Sequence, residues 1–223
     1  VTGVQTCALP ISVFAPVGST VRLRFRAITG TGFASDIAID ELSIENTCSN
    51  PLSGNYSLGP SGDFQSFDEA FQALGNCGIS GPVTINVQPG SYTEVVDFAG
   101  PIPAATATDT VVFRGVTGIP IDAQWQAAST FASPFVLRLT NTEHLTFRHL
   151  QFTRTGAGPN TGLVRAQDCS HLRFENIEFL GNGSSGGTLV EVDNASIPGV
   201  GVEFLTSNFI GLGTQLRLDG ISG

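Results

Sequence analysis

One octet occurs twice in this sequence: Leu145-Thr146-Phe147-Arg148-His149-Leu150-Gln151-Phe152 and, 27 residues later, Leu172-Arg173-Phe174-Glu175-Asn176-Ile177-Glu178-Phe179. Its start returns after a further 30 residues as Val202-Glu203-Phe204. Apolar and polar residues alternate within each copy, which is typical of a β-strand with one buried face. Self-similarity at a period of about 20–50 residues indicates a repeat architecture. The octets therefore predict short strands that recur once in every coil of a solenoid.

A second column of apolar segments accompanies the octets at a fixed offset. Each segment ends near a turn-prone residue, namely Asn141, Asp168, Asn194 or Gly220, and such residues tolerate left-handed backbone angles. The segments are Val136–Leu139, Leu163–Ala166, Leu189–Val192 and Leu216–Leu218. The sequence lacks the consensus of a leucine-rich repeat. A β-sandwich, the other alternative, would show alternating apolar and polar residues but not two columns at a fixed offset. We therefore predict coils of two or three strands that bury one another's ends.

One amphipathic helix precedes the repeats. Ser66 and Glu69 form a capping-box pattern. The apolar residues that follow have helical spacing and are Phe67, Ala70, Phe71 and Leu74. Gly75 stands where a left-handed C-terminal cap is expected. The helix is short and one-sided, which predicts that it covers the open end of a larger structure.

The segment Gly81–Glu94, with the sequence GPVTINVQPGSYTE, carries a family resemblance. It resembles the first coil of the right-handed parallel β-helices of the pectin-lyase-like superfamily, in which a capping helix precedes a similar stretch. The resemblance covers residues 50–223. It implies an all-β fold, a right-handed parallel β-helix (solenoid) with a short N-terminal capping helix. The segment is similar in particular to secreted bacterial surface proteins that combine this fold with jelly-roll modules.

The residues before the helix divide into three parts. Residues 1–11 resemble the translation of a sequencing-library adapter, and we exclude them from the fold as an artefact. Residues 12–46 contain a β-hairpin, which we interpret as the C-terminal remnant of a MAM-like or jelly-roll β domain. Residues 47–65 are rich in Pro, Asn and Ser and are predicted to be a linker. We expect residues 66–223 to form the β-helix, and we expect the chain to be a piece that is truncated at the C-terminus.

The jelly-roll resemblance rests on Ser35–Leu42, which is followed by Cys48. In such domains the carboxylates of the closing strand often help to bind Ca²⁺, a cation that prefers several oxygen ligands. The resemblance therefore implies a Ca²⁺ site at Asp36 and Asp40. The alternative is that both are solvated carboxylates at a strand end.

The cysteines suggest one covalent link. Cys48 and Cys77 flank the helix, and a disulfide between them would close a loop of about 30 residues. The alternative is a pair of buried free thiols. No Cys/His spacing indicates a structural zinc site.

Composition excludes several classes of protein. The chain has 10 Arg, no Lys and 19 acidic residues, for a formal net charge of −9. Nucleic-acid binding needs a basic surface, so it is not expected. No apolar stretch reaches the 18–20 residues or so that span a bilayer. The 16 Phe residues among many β-branched ones argue against disorder.

Catalytic residues are not predicted. Leu145–Asn160 loosely resembles the coil before the active site of pectin methylesterases, which use two Asp and an Arg. An approximate alignment puts Gly181-Asn182 where that family has Gln-Asp, and Asn208 where it has its other Asp. Neither Asn can attack a substrate or carry a proton. The resemblance thus argues against methylesterase activity in this segment.

Carboxylates near the end of the second column are candidates for glycan contact. Asp168, Glu191, Asp193 and Arg165 could approach one another across stacked coils, as the Ca²⁺-binding carboxylates and the base of pectate lyases do. The alternative is an outward ladder of mixed charge, Arg138-Arg165-Glu191-Arg217, that stabilises the stacking. His144 and His171 align one coil apart and could share a metal. Because no third ligand is evident, we interpret both as surface residues.

These observations predict a non-catalytic segment of a secreted or cell-surface bacterial multidomain protein, used for adhesion or glycan binding. The expected partner is an extracellular polysaccharide or a cell-surface glycan. No cofactor is required, and Ca²⁺ is the one ion that the pattern favours. The alternative function is that of a polysaccharide lyase or hydrolase whose active site lies in coils beyond Gly223.

Overall fold

A computed structural model of the chain describes residues 50–128, 134–155, 162–181, 187–193, 201–211 and 214–219. Its elements in chain order are β1 (Leu52–Leu58), α1 (Phe67–Cys77), β2 (Ile79–Val87), β3 (Gly90–Thr93), β4 (Val96–Ala99), β5 (Val111–Gly115), a 3₁₀ turn (Pro120–Asp122), β6 (Ala123–Ala127), β7 (Leu137–Thr140), β8 (Glu143–Arg148), β9 (Gln151–Arg154), β10 (Val164–Gln167), β11 (Ser170–Glu175), β12 (Glu178–Leu180), β13 (Thr188–Asp193), β14 (Val202–Leu205), β15 (Asn208–Ile210) and β16 (Thr214–Asp219).

The strands wind into a parallel β-solenoid. Every third strand from β2 onward joins the same sheet, so that sheet A is β1-β2-β5-β8-β11-β14, sheet B is β3-β6-β9-β12-β15 and sheet C is β4-β7-β10-β13-β16. Coil 1 is β2–β4, coil 2 is β5–β7, coil 3 is β8–β10, coil 4 is β11–β13 and coil 5 is β14–β16. All the ladders are parallel. The predicted fold is thus confirmed, with three strands in each described coil.

The octets form the core of the solenoid. Phe147 pairs in register with Phe174 on the next coil, and their rings stack with centroids 5.3 Å apart. Phe113 and Phe204 extend this column of sheet A at 5.6 and 5.2 Å. Phe152 belongs to a second column, in sheet B, and meets Phe147 edge to face at 5.9 Å. The core is therefore built of two interlocked aromatic columns.

Helix α1 closes the first coil, as predicted. Phe67 stacks on the indole of Trp125 with centroids 3.8 Å apart, and Phe71 stacks on Phe113 at 5.0 Å. Phe67, Phe71 and Trp125 are almost completely buried. The apolar stripe of the helix thus extends the aromatic columns by one layer and shields them from water.

Both helix caps differ in detail from the prediction. Ser66 Oγ accepts the Glu69 N–H at 3.1 Å, but the Glu69 carboxylate accepts the N–H of Gln65 rather than that of Ser66. The C-terminal cap is Gly78, with φ of 64°. Gly75 lies inside the helix, where an added Cβ would stand 2.9 Å from the ring of Phe98. Gly75 therefore allows the helix to pack closely against Phe98, and it does not end the helix.

The segment predicted to be a linker contributes a strand. Within residues 47–65, β1 pairs in parallel with β2, and Leu58 is completely buried. The pattern hides this strand because its apolar ends are separated by a bulge near Gly54, where φ is 84°. The described solenoid thus begins at Leu52, not at residue 66.

Several predictions fall outside the described residues. They concern residues 1–11, the hairpin and the jelly-roll remnant in residues 12–46, the Ca²⁺ ligands Asp36 and Asp40, and Cys48. Asn182, Asn194 and Gly220 lie outside as well. Within the described ranges, no helix has the length and apolar character that a membrane span needs.

Candidate functional site

The outward face of sheet C carries two rows of polar side chains in register. The first row is Asp97, Arg138, Arg165, Glu191 and Arg217. The second row is Thr140, Gln167, Asp193 and Asp219. Adjacent parallel strands lie about 4.8 Å apart, so each row presents one functional group per coil along the solenoid axis. We call these nine residues the charged face.

Ion pairs in the first row connect coil 1 to coil 2, and they connect coils 3, 4 and 5 to one another. Arg138 lies 3.5 Å from the Asp97 carboxylate, and Arg165 Nε lies 3.8 Å from Glu191 Oε2. Arg217 contacts Glu191 at 3.6 Å and Asp219 at 2.7 Å. The predicted ladder Arg138-Arg165-Glu191-Arg217 therefore exists. Exposed pairs of this kind stabilise a fold by only about 0–1 kcal/mol each.

Two like charges stand next to each other at the centre of the charged face. Arg165 pairs in register with Arg138, and cations placed directly opposite one another on neighbouring strands repel. The Phe135 ring lies 5.6 Å from the Arg165 guanidinium carbon and so holds that side chain by a cation–π contact. The guanidinium groups of Arg138 and Arg165 thus offer two planar sets of N–H donors, and a carboxylate can accept two hydrogen bonds from such a set.

The structure brings together three of the four predicted glycan-contact residues. Arg165, Glu191 and Asp193 all lie on the charged face, on strands β10 and β13. Asp168 lies beyond the end of β10, with φ of 50°, and its N–H donates to the Asp193 carbonyl at 2.8 Å. Asp168 lines a cavity of about 150 Å³ at the corner between sheets C and A.

That corner repeats one backbone conformation in coils 3 and 4. Asn141 and His144 have φ of 53° and 58°, and their counterparts Asp168 and His171 both have φ of 50°. Left-handed angles are uncommon outside Gly, although Asn, Asp and His adopt them more readily than other residues. Since the two turns match, the imidazoles of His144 and His171 leave the corner together and stack with centroids 4.4 Å apart.

Glu143 completes this cluster, although no pattern in the sequence singles it out. Its Oε2 lies 3.8 Å from His144 Nε2 and accepts a hydrogen bond from Ser170 Oγ at 3.2 Å. Ser170 Oγ is also 3.4 Å from His171 Nδ1. Adjacent residues of a strand normally face opposite ways. The left-handed φ of His144 breaks that alternation and lets Glu143 and His144 meet. His144 is partly exposed and His171 exposed, so both are surface residues as predicted, but Glu143 supplies the third candidate ligand that the sequence pattern does not show.

A groove of about 450 Å³ adjoins the histidine pair along the start of sheet A. His144, Thr146, His171, Arg173 and Glu203 contribute to its wall. Arg173 forms an ion pair with Glu203 at 3.8 Å. The groove thus combines hydroxyl, imidazole and charged groups, which are the donors and acceptors that a saccharide uses.

Comparison with known proteins yields similarity of fold alone. No protein-family model and no curated protein matches the chain. Among solved structures, it is similar to the pectin methylesterase from Aspergillus niger, both in the deglycosylated form and in the penultimately deglycosylated form with an N-acetylglucosamine stub. Each comparison gives 16% identity and a TM-score of 0.49, and covers 75% of this chain and 61% of the enzyme. The chain therefore spans about three-fifths of the length of that enzyme, and a similarity of this size does not extend to activity.

Proposed function

We propose that this chain is a polysaccharide-binding module of a secreted or cell-surface protein, and that it binds an extended acidic polysaccharide along the charged face. The observation that carries the proposal is the in-register pair of Arg138 and Arg165. Two cations side by side repel, and the carboxylates of Asp97 and Glu191 approach them only to 3.5 and 3.8 Å, beyond the length of a charge-assisted hydrogen bond. The bound carboxylate of a sugar acid would complete the compensation of the two cations.

The remaining charged-face residues suit a repeating ligand. Thr140 and Gln167 follow the arginines at the next outward position of the same strands and offer a hydroxyl and an amide to sugar hydroxyls. Asp193 and Asp219 pair in register on the next two coils. They offer carboxylate oxygens to a Ca²⁺ ion that a polyanion would share, since Ca²⁺ takes about 6–8 oxygen ligands. The net charge of −9 makes such bridging favourable.

Substitution of either arginine should weaken binding of polygalacturonate. We expect Arg138→Ala and Arg165→Ala each to raise the dissociation constant about tenfold or more, because a hydrogen bond to a charged group contributes about 1.5–3 kcal/mol. Isothermal titration calorimetry with polygalacturonate fragments measures the change. Arg148→Ala is the matched control, because Arg148 also forms an ion pair and its side chain is 37% exposed against 30% for Arg165, but it lies on sheet A.

Equal weakening by Arg148→Ala would show that binding is a diffuse charge effect and would contradict a site on sheet C.

The same polysaccharide fragments test the enzymatic alternative. Asp193 and Asp219 form a pair of carboxylates beside Arg217, as acid–base catalysis of glycan cleavage requires. Product release from the polysaccharide that Asp193→Ala abolishes would favour a lyase or hydrolase over a binding module.

An oxidising extracellular environment favours an oxidised Cys48–Cys77 pair, which remains a prediction because Cys48 lies outside the described residues. The chain has 4 Cys, and Cys169 is buried and lies outside the predicted pair. Burial raises the pKa of the Cys169 thiol to about 11. We expect thiol labelling in denaturant to modify two cysteines before reduction and all 4 after it. Modification of all the cysteines without reductant would argue against the disulfide and weaken the extracellular assignment.

A further inference from the structure

We propose that Glu143, His144 and His171 form a binding site for a divalent transition-metal ion of the Zn²⁺ class, which joins coil 3 to coil 4. One ligand atom from each residue lies within 4.8 Å of the other two. A tetrahedral ion with bonds of about 2.0–2.2 Å holds its ligands about 3.4 Å apart. Small side-chain rotations therefore bring these three atoms to coordination distance.

The chemistry of the ligands selects the class of ion. Two imidazole nitrogens and one carboxylate oxygen suit Zn²⁺, Cu²⁺ or Ni²⁺. Ca²⁺ and Mg²⁺ prefer sites made of oxygen alone, which this corner does not provide. The site is thus distinct in kind from a Ca²⁺ bridge on the charged face.

Ser170 positions the ligands, as outer residues do in metal sites. Its hydroxyl donates to the Glu143 carboxylate at 3.2 Å and lies 3.4 Å from His171 Nδ1. Ser170 is only 6% exposed, so the packing of the corner fixes its direction. The hydroxyl therefore links a ligand of coil 3 to a ligand of coil 4.

The surrounding charges favour a cation. Asp168 lines the same small cavity as Glu143 and Ser170. Arg173 lies in the groove on the other side of the histidines, where Glu175 at 3.5 Å and Glu203 at 3.8 Å compensate its charge. The corner thus places the carboxylates of Glu143 and Asp168 beside the two imidazoles.

The left-handed backbone is common to His144 and His171, with φ of 58° and 50°, and their stacked imidazoles face the same groove. Three protein ligands leave one tetrahedral position open. Since both histidines line the groove of about 450 Å³, that position is accessible to water or to a ligand oxygen.

Titration of the untagged 223-residue chain with ZnCl₂ tests the proposal. We expect one equivalent to bind, and we expect Co²⁺ at the same site to give visible absorption bands typical of nitrogen and oxygen ligands. His144→Ala and His171→Ala should each weaken Zn²⁺ binding by at least about tenfold, and Glu143→Gln and Ser170→Ala should also weaken it. Zn²⁺ should raise the melting temperature of the unsubstituted protein and not that of the His144→Ala, His171→Ala double variant.

His149→Ala is the matched control, because the chain has only 3 His and His149 is the third. It too has a left-handed φ, of 54°, but its Nδ1 lies 2.8 Å from the side-chain nitrogen of Asn176 at another corner. We expect His149→Ala to bind Zn²⁺ unchanged, and circular dichroism shows whether each variant is folded. Zn²⁺ binding that survives in the folded double variant, or that Ca²⁺ displaces at equal concentration, would overturn the proposal. Failure of polysaccharide binding would leave it untouched, since the charged face lies on sheet C.

Discussion

Phe147→Ala should lower the free energy of unfolding by about 3–5 kcal/mol, the usual cost of removing a buried Phe. Phe147 is completely buried and stacks between Phe113 and Phe174 at 5.6 and 5.3 Å. It also packs edge to face against Phe152. Because neighbouring coils hold these rings in place, the cavity left by the substitution cannot collapse. Urea denaturation followed by the fluorescence of Trp125, the only Trp of the chain, measures the loss.

Phe204→Ala provides the comparison within the same column. Phe204 stacks on Phe174 at 5.2 Å but remains partly exposed in coil 5. Its substitution should cost clearly less, because part of its surface already contacts water. Equal losses at both positions, or a loss below about 1 kcal/mol for Phe147→Ala, would contradict the view that stacked rings between coils are the main source of stability.

The solenoid was predictable because its core repeats. Inward positions such as Leu145 and Leu172 recur once in each coil, and each coil must match its neighbours to bury them. Strand β1 was not predictable in this way, since a bulge interrupts its alternation and only its ends are apolar. The C-terminal cap of α1 was assigned to Gly75 because a sequence cannot tell a glycine needed for φ from one needed for space.

In the candidate sites, only the side-chain contacts that follow from the alignment of neighbouring strands could be predicted from the sequence. Arg165 and Glu191 meet because strands β10 and β13 are aligned, and the column pattern contains that alignment. Glu143 meets His144 through a reversed backbone angle, which alternation alone does not predict. The turn-prone Asn141 predicts a corner, but it does not predict which of the following side chains point to the other face of the strand.

Glu94 shows how one side chain attaches the cap to the solenoid. Its two carboxylate oxygens accept the backbone N–H groups of Phe67 and Asp68, each at 2.9 Å, at the start of α1. Those groups have no partner within a helix, and the helix dipole favours a negative charge there. Its own carbonyl accepts the indole N–H of Trp125 at 3.2 Å. The helix and the first two coils therefore share this residue.

Glu94→Ala should lower the free energy of unfolding by about 2 kcal/mol, because it leaves the part-buried Phe67 N–H and the exposed Asp68 N–H without their acceptor. Glu69→Ala is the matched control at the same helix end. The Glu69 carboxylate accepts only the neighbouring Gln65 N–H, at an exposed position, so a loss of about 0.5 kcal/mol is expected. If urea denaturation gives equal losses for both variants, Glu94 acts as an ordinary local cap and does not join the helix to the coils.

The pH dependence of the same site has a definite sign. Burial, the largest influence, raises the pKa of the Glu94 carboxyl above its ordinary value of 4.5, although the N–H groups of Asp68 and Phe67 act in the opposite direction. A raised pKa means that the folded chain binds the proton more tightly than the unfolded chain does. This contribution to stability is complete below pH 4.5 and is lost as the pH rises through the folded pKa. The free energy of unfolding of the unsubstituted protein, minus that of the Glu94→Gln variant, should therefore increase as the pH falls from neutral towards 4.5. Every other carboxylate is common to both proteins and cancels in the difference, so a shift of the opposite sign would mean that the two N–H groups, and not burial, dominate the titration of Glu94.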